Sequence, residues 1–211
     1  MEKNYRKLGY IFLLIIPLTV IGFYPTYFDL FPEFNEYIDT LVHLHFFLSA
    51  IWVAILITQP LLIVNRKYKW HKLLGKSTYI IFPLWVLSFL IMIYKVIEKE
   101  DYDYLVFPIG NMLILIILYY QAIKHRRTTA KHMRYMISSA IVLIDPTIGR
   151  WTFNVFENDL IAMPITYAIM NLILVGLIWM DKRNGKDYTP YVMALICFLL
   201  YNITFFIVYL I

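Results

Sequence analysis

The chain reads RKYKWHKLLGK at 66–76, TYIIFPLWVLSFLIMIYKVI at 78–97 and EKEDYD at 98–103. Five cations without an acid lead into twenty residues carrying one charge, and four acids with one lysine follow. About 20 mostly apolar residues are what a helix needs to cross the hydrocarbon core of a bilayer. The middle stretch therefore reads as a membrane span whose two ends face compartments of different charge preference. Helices are the expected spanning form, because backbone polar groups cannot go unsatisfied in lipid. A β-barrel would instead alternate apolar and polar residues over segments of about ten.

Six further stretches match that pattern, so the expected spans are Leu8–Tyr24, Leu41–Val64, Thr78–Ile97, Leu105–Ile123, Tyr135–Phe156, Leu160–Met180 and Tyr191–Ile211. Alternate loops hold Lys3, Arg6 and Lys7; Arg66, Lys67, Lys69, Lys72 and Lys76; Lys124, Arg126, Arg127, Lys131 and Arg134; and Lys182, Arg183 and Lys186. The loops between them hold Asp29, Glu33, Glu36 and Asp39; Glu98, Glu100, Asp101 and Asp103; and Glu157 and Asp159. Sixteen of nineteen Lys and Arg residues thus fall on one side, which the positive-inside rule makes the cytoplasm. An odd number of spans puts the N-terminus inside and the C-terminus outside.

Composition supports this reading. Hydrophobic residues make up 61% of 211 and charged residues only 16%, against about a quarter charged in soluble domains. A soluble domain of this size could not hide so much apolar surface. The net charge of +5 sits in short loops between apolar runs, so it is a topology signal and not a nucleic-acid surface. Cys197 is the single cysteine, which leaves no intramolecular disulfide and no cysteine metal motif. Residues 1–24 read as a retained span, because no small-residue cleavage site follows the apolar run. Pro25–Thr40, mixed aromatic and acidic, is expected to lie along the outer surface. The fold class is an all-α polytopic transmembrane bundle of about seven spans, in one domain covering residues 1–211, with the lipid bilayer as its surroundings.

An internal repeat is visible at the basic loops. Arg66 and His71 are five apart, as are Arg127 and His132, and the pairs are offset by the same 61 residues. Two related hairpins, 41–97 and 105–156, are expected, each starting and ending outside, so the repeat is parallel.

Ionisable residues inside spans are costly and point to function. Asp145 lies near the middle of span five and is followed by Pro146, which should kink the helix and free a carbonyl about one turn earlier. Arg150 lies about 140° around the helix from Asp145, so a direct pair is not expected. Ser138, Gly149 and Thr152 share the Asp145 face. His43 and His45 face different ways. His45, in register with Ser49, Trp52, Leu56 and Gln59, is expected to face an interior that also holds Asn111, Asn171 and Asn202. Interhelical hydrogen bonding explains such Asn residues without any ligand. Headgroup contact explains His71 and His132 equally well, and snorkelling explains Arg150 beside Trp151.

These residues resemble the pattern of an uncharacterised family of small bacterial multi-pass membrane proteins. The likeness rests on His45, Trp52 and Gln59, on Arg66 with His71-Lys72-Leu73-Leu74-Gly75, and on Pro108-Ile109-Gly110-Asn111. It continues through His132-Met133-Arg134-Tyr135-Met136, Asp145 and Gly149-Arg150. It covers Thr40–Trp151 and implies a location in the bacterial inner membrane, but it brings no activity. A weaker likeness is to cytochrome b561-type bundles, in which histidines on successive helices hold haem b. This chain departs from that pattern in placing its inner histidines at loop edges.

Three chemistries follow as expectations. The first is a haem-b redox protein with His71 and His132 as axial ligands and Arg66 and Arg127 at the propionates. The second is a proton-coupled small-solute transporter with the proton on Asp145 and the path lined by His45 and Gln59. The third is an intramembrane zinc hydrolase, for which His43 and His45 leave the ligand set short. A structural role beside a membrane redox or assembly partner requires no chemistry of its own.

Overall fold

The computed structural model describes residues 5, 7–34 and 38–210; Lys3, Arg6, Glu36 and Ile211, used above, lie outside them. Among the described residues the fold is all-helical, without strands. Six helical segments are long and apolar enough to cross a membrane: Gly9–Phe28, Thr40–Val64, Tyr68–Glu98, Tyr102–Lys124, Asp159–Arg183 and Thr189–Leu210. This is the make-up of a multi-pass membrane protein in contact with lipid. The chain divides into two compact units, Met1–Glu100 and Asp101–Ile211.

In the first unit, α1 (Leu8–Ile11) runs through a 3-10 turn into α2 (Ile15–Phe23) and ends in a wide π turn, Tyr24–Phe28. α3 (Thr40–Val64) and α4 (Tyr68–Glu98) form an antiparallel hairpin joined by a three-residue turn. Asp39 caps α3, accepting from the backbone N–H groups of Leu41 and Val42 at 2.9 and 3.0 Å. The Lys95 ammonium reaches Asp39 at 2.9 Å and Glu98 at 3.1 Å. That contact, together with the cap bonds, holds the Asp39 carboxyl below its ordinary value. The hairpin core is aromatic: Trp52 and Trp85 stack at 5.1 Å between centroids, flanked by Phe82 and Phe89. Such pairs add about 0.5–1.5 kcal/mol beyond their buried area. Aromatics of the 24–34 segment pack back onto α3, with Tyr27 stacked on Phe46.

α4 begins at Tyr68, ten residues earlier than the expected span. The basic run 66–76 is therefore mostly the first three turns of a 31-residue helix, about 46 Å long at 1.5 Å per residue. Lys69, Lys72 and Lys76 lie on the helix, and Arg66 and Lys67 in the turn before it.

The second unit holds α5 (Val106–Lys124), α6 (Thr129–Ile141), α7 (Ile144–Phe156), α8 (Asp159–Arg183) and α9 (Thr189–Leu210). α5 packs on α6 and α9, α7 on α8, and α9 also on α6 and α8. The stretch 135–156, expected as one kinked span, is two 13-residue helices. Each is about 20 Å long, too short alone for a core of about 30 Å.

The break has a local cause. Pro146 lacks the N–H that would have bonded the carbonyl of Val142. That carbonyl accepts instead from the N–H of Asp145 at 3.2 Å, and the Ala140 carbonyl from Leu143 at 3.2 Å. The Thr147 hydroxyl donates to the carbonyls of Leu143 and Ile144 at 2.8 and 3.1 Å. Tight turns and a side chain thus satisfy the interrupted ladder, and Asp145 lies in the first turn of α7. Carboxylates are favoured there by the helix dipole.

Candidate functional site

Asp145 is the centre of a polar cluster within the second unit. Its side chain is buried, with 4% of the residue accessible. Asn111 of α5 donates through Nδ2 to Asp145 Oδ2 at 2.6 Å, and the Tyr201 hydroxyl of α9 donates to the same oxygen at 2.8 Å. Asp145 Oδ1 and Asn111 Oδ1 are buried and have no hydrogen-bond partner. One carboxylate oxygen is thus saturated and the other has none of the donors a buried charge needs.

Glycines allow this crossing. A Cβ on Gly110 would lie 2.4 Å from the Tyr201 ring, so Tyr201 reaches Asp145 only because position 110 has no side chain. A Cβ on Gly149 would meet Met163 Cε at 3.3 Å and Asp145 Oδ1 at 3.9 Å. One turn further along α7, the Thr152 hydroxyl lies 3.1 Å from that of Thr166 and within bonding distance of the Ala162 carbonyl. α7 and α8 therefore meet along a seam of small and hydroxyl side chains. Gly149 and Thr152, expected on the Asp145 face, are buried as Asp145 is. Arg150 is half-buried on α7. Asn202 is buried, and the Oδ1 atoms of Asn171 and Asn202 lack partners.

A second buried polar group joins the middle of α6 to the end of α8. Arg134 and Asp181 are both wholly inaccessible and bond twice, Nε to Oδ2 at 2.6 Å and Nη2 to Oδ1 at 3.1 Å. Arg134 Nη1 also donates to the Ala130 carbonyl at 3.0 Å. Nearby, Lys131 pairs with Asp187 at 3.4 Å. Bonds from Thr189 and the Lys131 ammonium hold the Asp187 carboxyl below its ordinary value. The loop position that the charge pattern gives Arg134 is therefore corrected. Arg134 and Asp181 are core residues, because the guanidinium fork satisfies the carboxylate and neither charge is left alone.

The Arg-x4-His elements take the same local form in the two units. Arg66 and Arg127 each stand two residues before a helix begins, and His71 and His132 are each the fourth residue of that helix. Both Arg side chains are exposed and both His side chains half-buried. His71 Nδ1 donates to the Gln59 carbonyl at 3.3 Å and His132 Nδ1 to the Ala122 carbonyl at 2.9 Å. In both cases the acceptor belongs to the preceding helix. This anchoring leaves the lone pair on Nε2, the tautomer and posture that ligand histidines adopt. Burial holds His132 below its ordinary imidazole value. Gln59 returns a bond from Nε2 to the His71 carbonyl at 3.3 Å.

His43 and His45 diverge. His43 Nδ1 shares a 2.7 Å hydrogen bond with the Tyr27 hydroxyl. His45 Nδ1 lies 2.8 Å from Ser88 Oγ of α4. Trp85 Nε1 donates to Ser49 Oγ, which in turn donates to the His45 carbonyl, both at 2.8 Å. Among the described residues no three His, Cys, Asp or Glu side chains gather as metal ligands, so the zinc reading finds no ligand set there. His45, Gln59, Arg66 and His71 belong to the first unit, and Asn111, Arg127, His132, Asp145 and Arg150 to the second.

Tyr201 escaped the sequence reading. It is one of eighteen tyrosines, and only the adjacency of Gly110 and Asn111 hints that a ring must approach there. No family model, curated protein or solved structure matches the chain.

Proposed function

We propose that this chain is a proton-coupled carrier of a small solute in the cell membrane, with Asp145 as its proton site. In this reading residues 135–156, across the break between α6 and α7, form the fifth of seven passages, the N-terminus is cytoplasmic, and the membrane is the bacterial inner membrane. The observation that carries it is the Asp145 carboxylate: buried, cross-bonded on Oδ2 by two other helices, and without a donor on Oδ1. A proton on Oδ1 would neutralise the group, and its departure would leave a charge that only rearrangement could stabilise. The carboxylate stands beside a helix break, the kind of discontinuity around which carriers move.

The test uses purified protein in proteoliposomes under an imposed pH gradient, with uptake of a panel of small solutes and infrared difference spectra. The expected result is a pH-dependent carboxylic-acid band and gradient-driven uptake, both lost in Asp145→Asn. Uptake and spectrum unchanged in that variant would refute the reading.

A second reading, a haem-b redox protein, is favoured by a separate observation, the common posture of His71 and His132. Within its own unit, each histidine would offer Nε2 as an axial imidazole, and Arg66 and Arg127 in the same turns would serve propionates. Haem b would supply one-electron transfer, exchanged with a membrane redox partner. A reduced-minus-oxidised spectrum of protein from haem-replete cells tests it. Haem bands lost in His71→Ala and His132→Ala support it, and a flat spectrum removes it.

A further inference from the structure

The turn end of the α3–α4 hairpin carries a site unrelated to Asp145. A groove of about 570 Å³ opens there, walled by Leu62 of α3 and by Trp70, Leu73 and Leu74 of α4, with Lys67 at its edge and Ser77 at its far end. The lining is almost wholly apolar, yet it lies among cations. Trp70 is 60% exposed and Leu73 56%, while Arg66, Lys67, Lys69, Lys72 and Lys76 surround them within eleven residues.

These cations have no counter-charge on their own hairpin. From Thr40 to Ile97 the sequence contains no Asp or Glu, and the first carboxylate along α4 is Glu98 at its other end. Three cations elsewhere do have carboxylate partners: Lys95 has Asp39 and Glu98, Lys131 has Asp187, and Arg134 has Asp181. The anion for this end of the hairpin must come from outside it. In a membrane, the molecule that joins an apolar chain to a negative head is an anionic phospholipid, and basic pockets at helix ends recognise such heads. Exposed Tyr68 and Trp70 are the aromatic types that sit at headgroup level.

We propose that this groove binds one anionic phospholipid, with its phosphodiester at Lys67 and an acyl chain along Leu62, Leu74 and the Trp70 ring. The bound lipid neutralises part of the basic turn and covers an apolar surface that neither hairpin helix covers.

Tryptophan quenching tests this on the full chain in phosphatidylcholine micelles doped with chain-brominated phosphatidylglycerol or chain-brominated phosphatidylcholine. The Trp70 contribution is the difference between wild type and Trp70→Phe. Brominated phosphatidylglycerol is expected to quench Trp70 at lower mole fraction than brominated phosphatidylcholine. Lys67→Gln should weaken that preference about fivefold, the effect of one cation near an anionic surface. Lys72→Gln, outside the groove, should weaken it much less, and Leu74→Trp, which fills the groove, should remove Trp70-specific binding. Equal quenching by the two lipids would overturn the proposal. So would equal loss in Lys67→Gln and Lys72→Gln, because that would indicate diffuse attraction to the basic surface. Lys67 is exposed, so its variant should leave the fold intact.

Discussion

The turns at 65–67 and 125–128 are built alike, and the helices that leave them differ. Each turn carries its Arg two residues before the helix and its His four residues in, anchored to the helix before. α4 then continues for 31 residues and passes straight through Pro83. α6 stops after 13, five residues before Pro146, which lies in the first turn of α7. Both prolines remove one N–H from a ladder, so proline alone does not decide the outcome. The residues beside it do. Pro83 is flanked by Phe82 and Leu84, whose side chains carry no polar donor, whereas Thr147 follows Pro146 and its hydroxyl donates to the carbonyls of Leu143 and Ile144. A helix breaks where the freed groups can be satisfied, and here the break brings a carboxylate into the first turn of a new helix.

The largest effect expected from breaking this comparison is at Arg134, which corresponds to Leu73 in the other hairpin under the 61-residue offset. Arg134→Ala leaves Asp181 buried and unpaired, at a cost of about 3–5 kcal/mol. Detergent-solubilised protein should then lose its monodisperse peak in size-exclusion chromatography. Arg134→Met combined with Asp181→Leu should recover it, since replacing both charges avoids the stranded one. A double variant no better than the single would show that the pair does more than neutralise itself.

Gly110→Ala comes next. Its methyl enters the Tyr201 ring, and overpacking of this kind costs about 1–3 kcal/mol. Thermal stability should fall by that amount, while the corresponding change at Gly176, inside α8 with nothing within 4 Å, should not lower it. Tyr201→Phe removes one of two donors from Asp145 and keeps the ring. The expected loss is about 1.5–3 kcal/mol for a bond to a charged carboxylate and less for a protonated one, so unfolding by denaturant reads the state of Asp145 directly.

The smallest effect concerns pH. Burial lowers the His132 imidazole in the folded state, so the unfolded chain binds the proton more readily. The contribution of neutral His132 is complete above the unfolded value of about 6.5 and is lost as pH falls through and below it. The thermal midpoint should drop on acidification below that point, and the drop should shrink in His132→Asn. An unchanged slope would mean that other groups set the acid limb.

Much of the helical plan was legible in sequence, because 20-residue apolar runs and alternating loop charge are strong, local signals. The Asp145 environment was only half legible. A mid-span carboxylate followed by proline announced itself, and Asn111 was expected in the interior. Tyr201 was not, because its role depends on a missing side chain at Gly110 some ninety residues away. The Arg134–Asp181 pair was misread for a related reason. Charge counting assigns each residue to a loop by itself, and only pairing across helices makes burial of either tolerable. The basic run 66–76 was read as a loop because its charges obscured a helix whose first turns carry them.

The break between α6 and α7 has a consequence for how the chain is made. Asp145 receives its hydroxyl donor from a residue 56 positions later, and Arg134 receives its counter-ion 47 positions later. At roughly 5–20 residues per second, the ribosome needs about 3–11 s to deliver Tyr201 after Asp145 has emerged. During that interval the α6–α7 stretch holds a guanidinium without its carboxylate and a half-bonded carboxylate, and in the proposed topology the latter costs about 2.5–3.5 kcal/mol near the bilayer centre. α7 should therefore reach its final depth only after α8 and α9 have been synthesised, while the α3–α4 hairpin, free of acids from Thr40 to Ile97, can insert as soon as it leaves the tunnel.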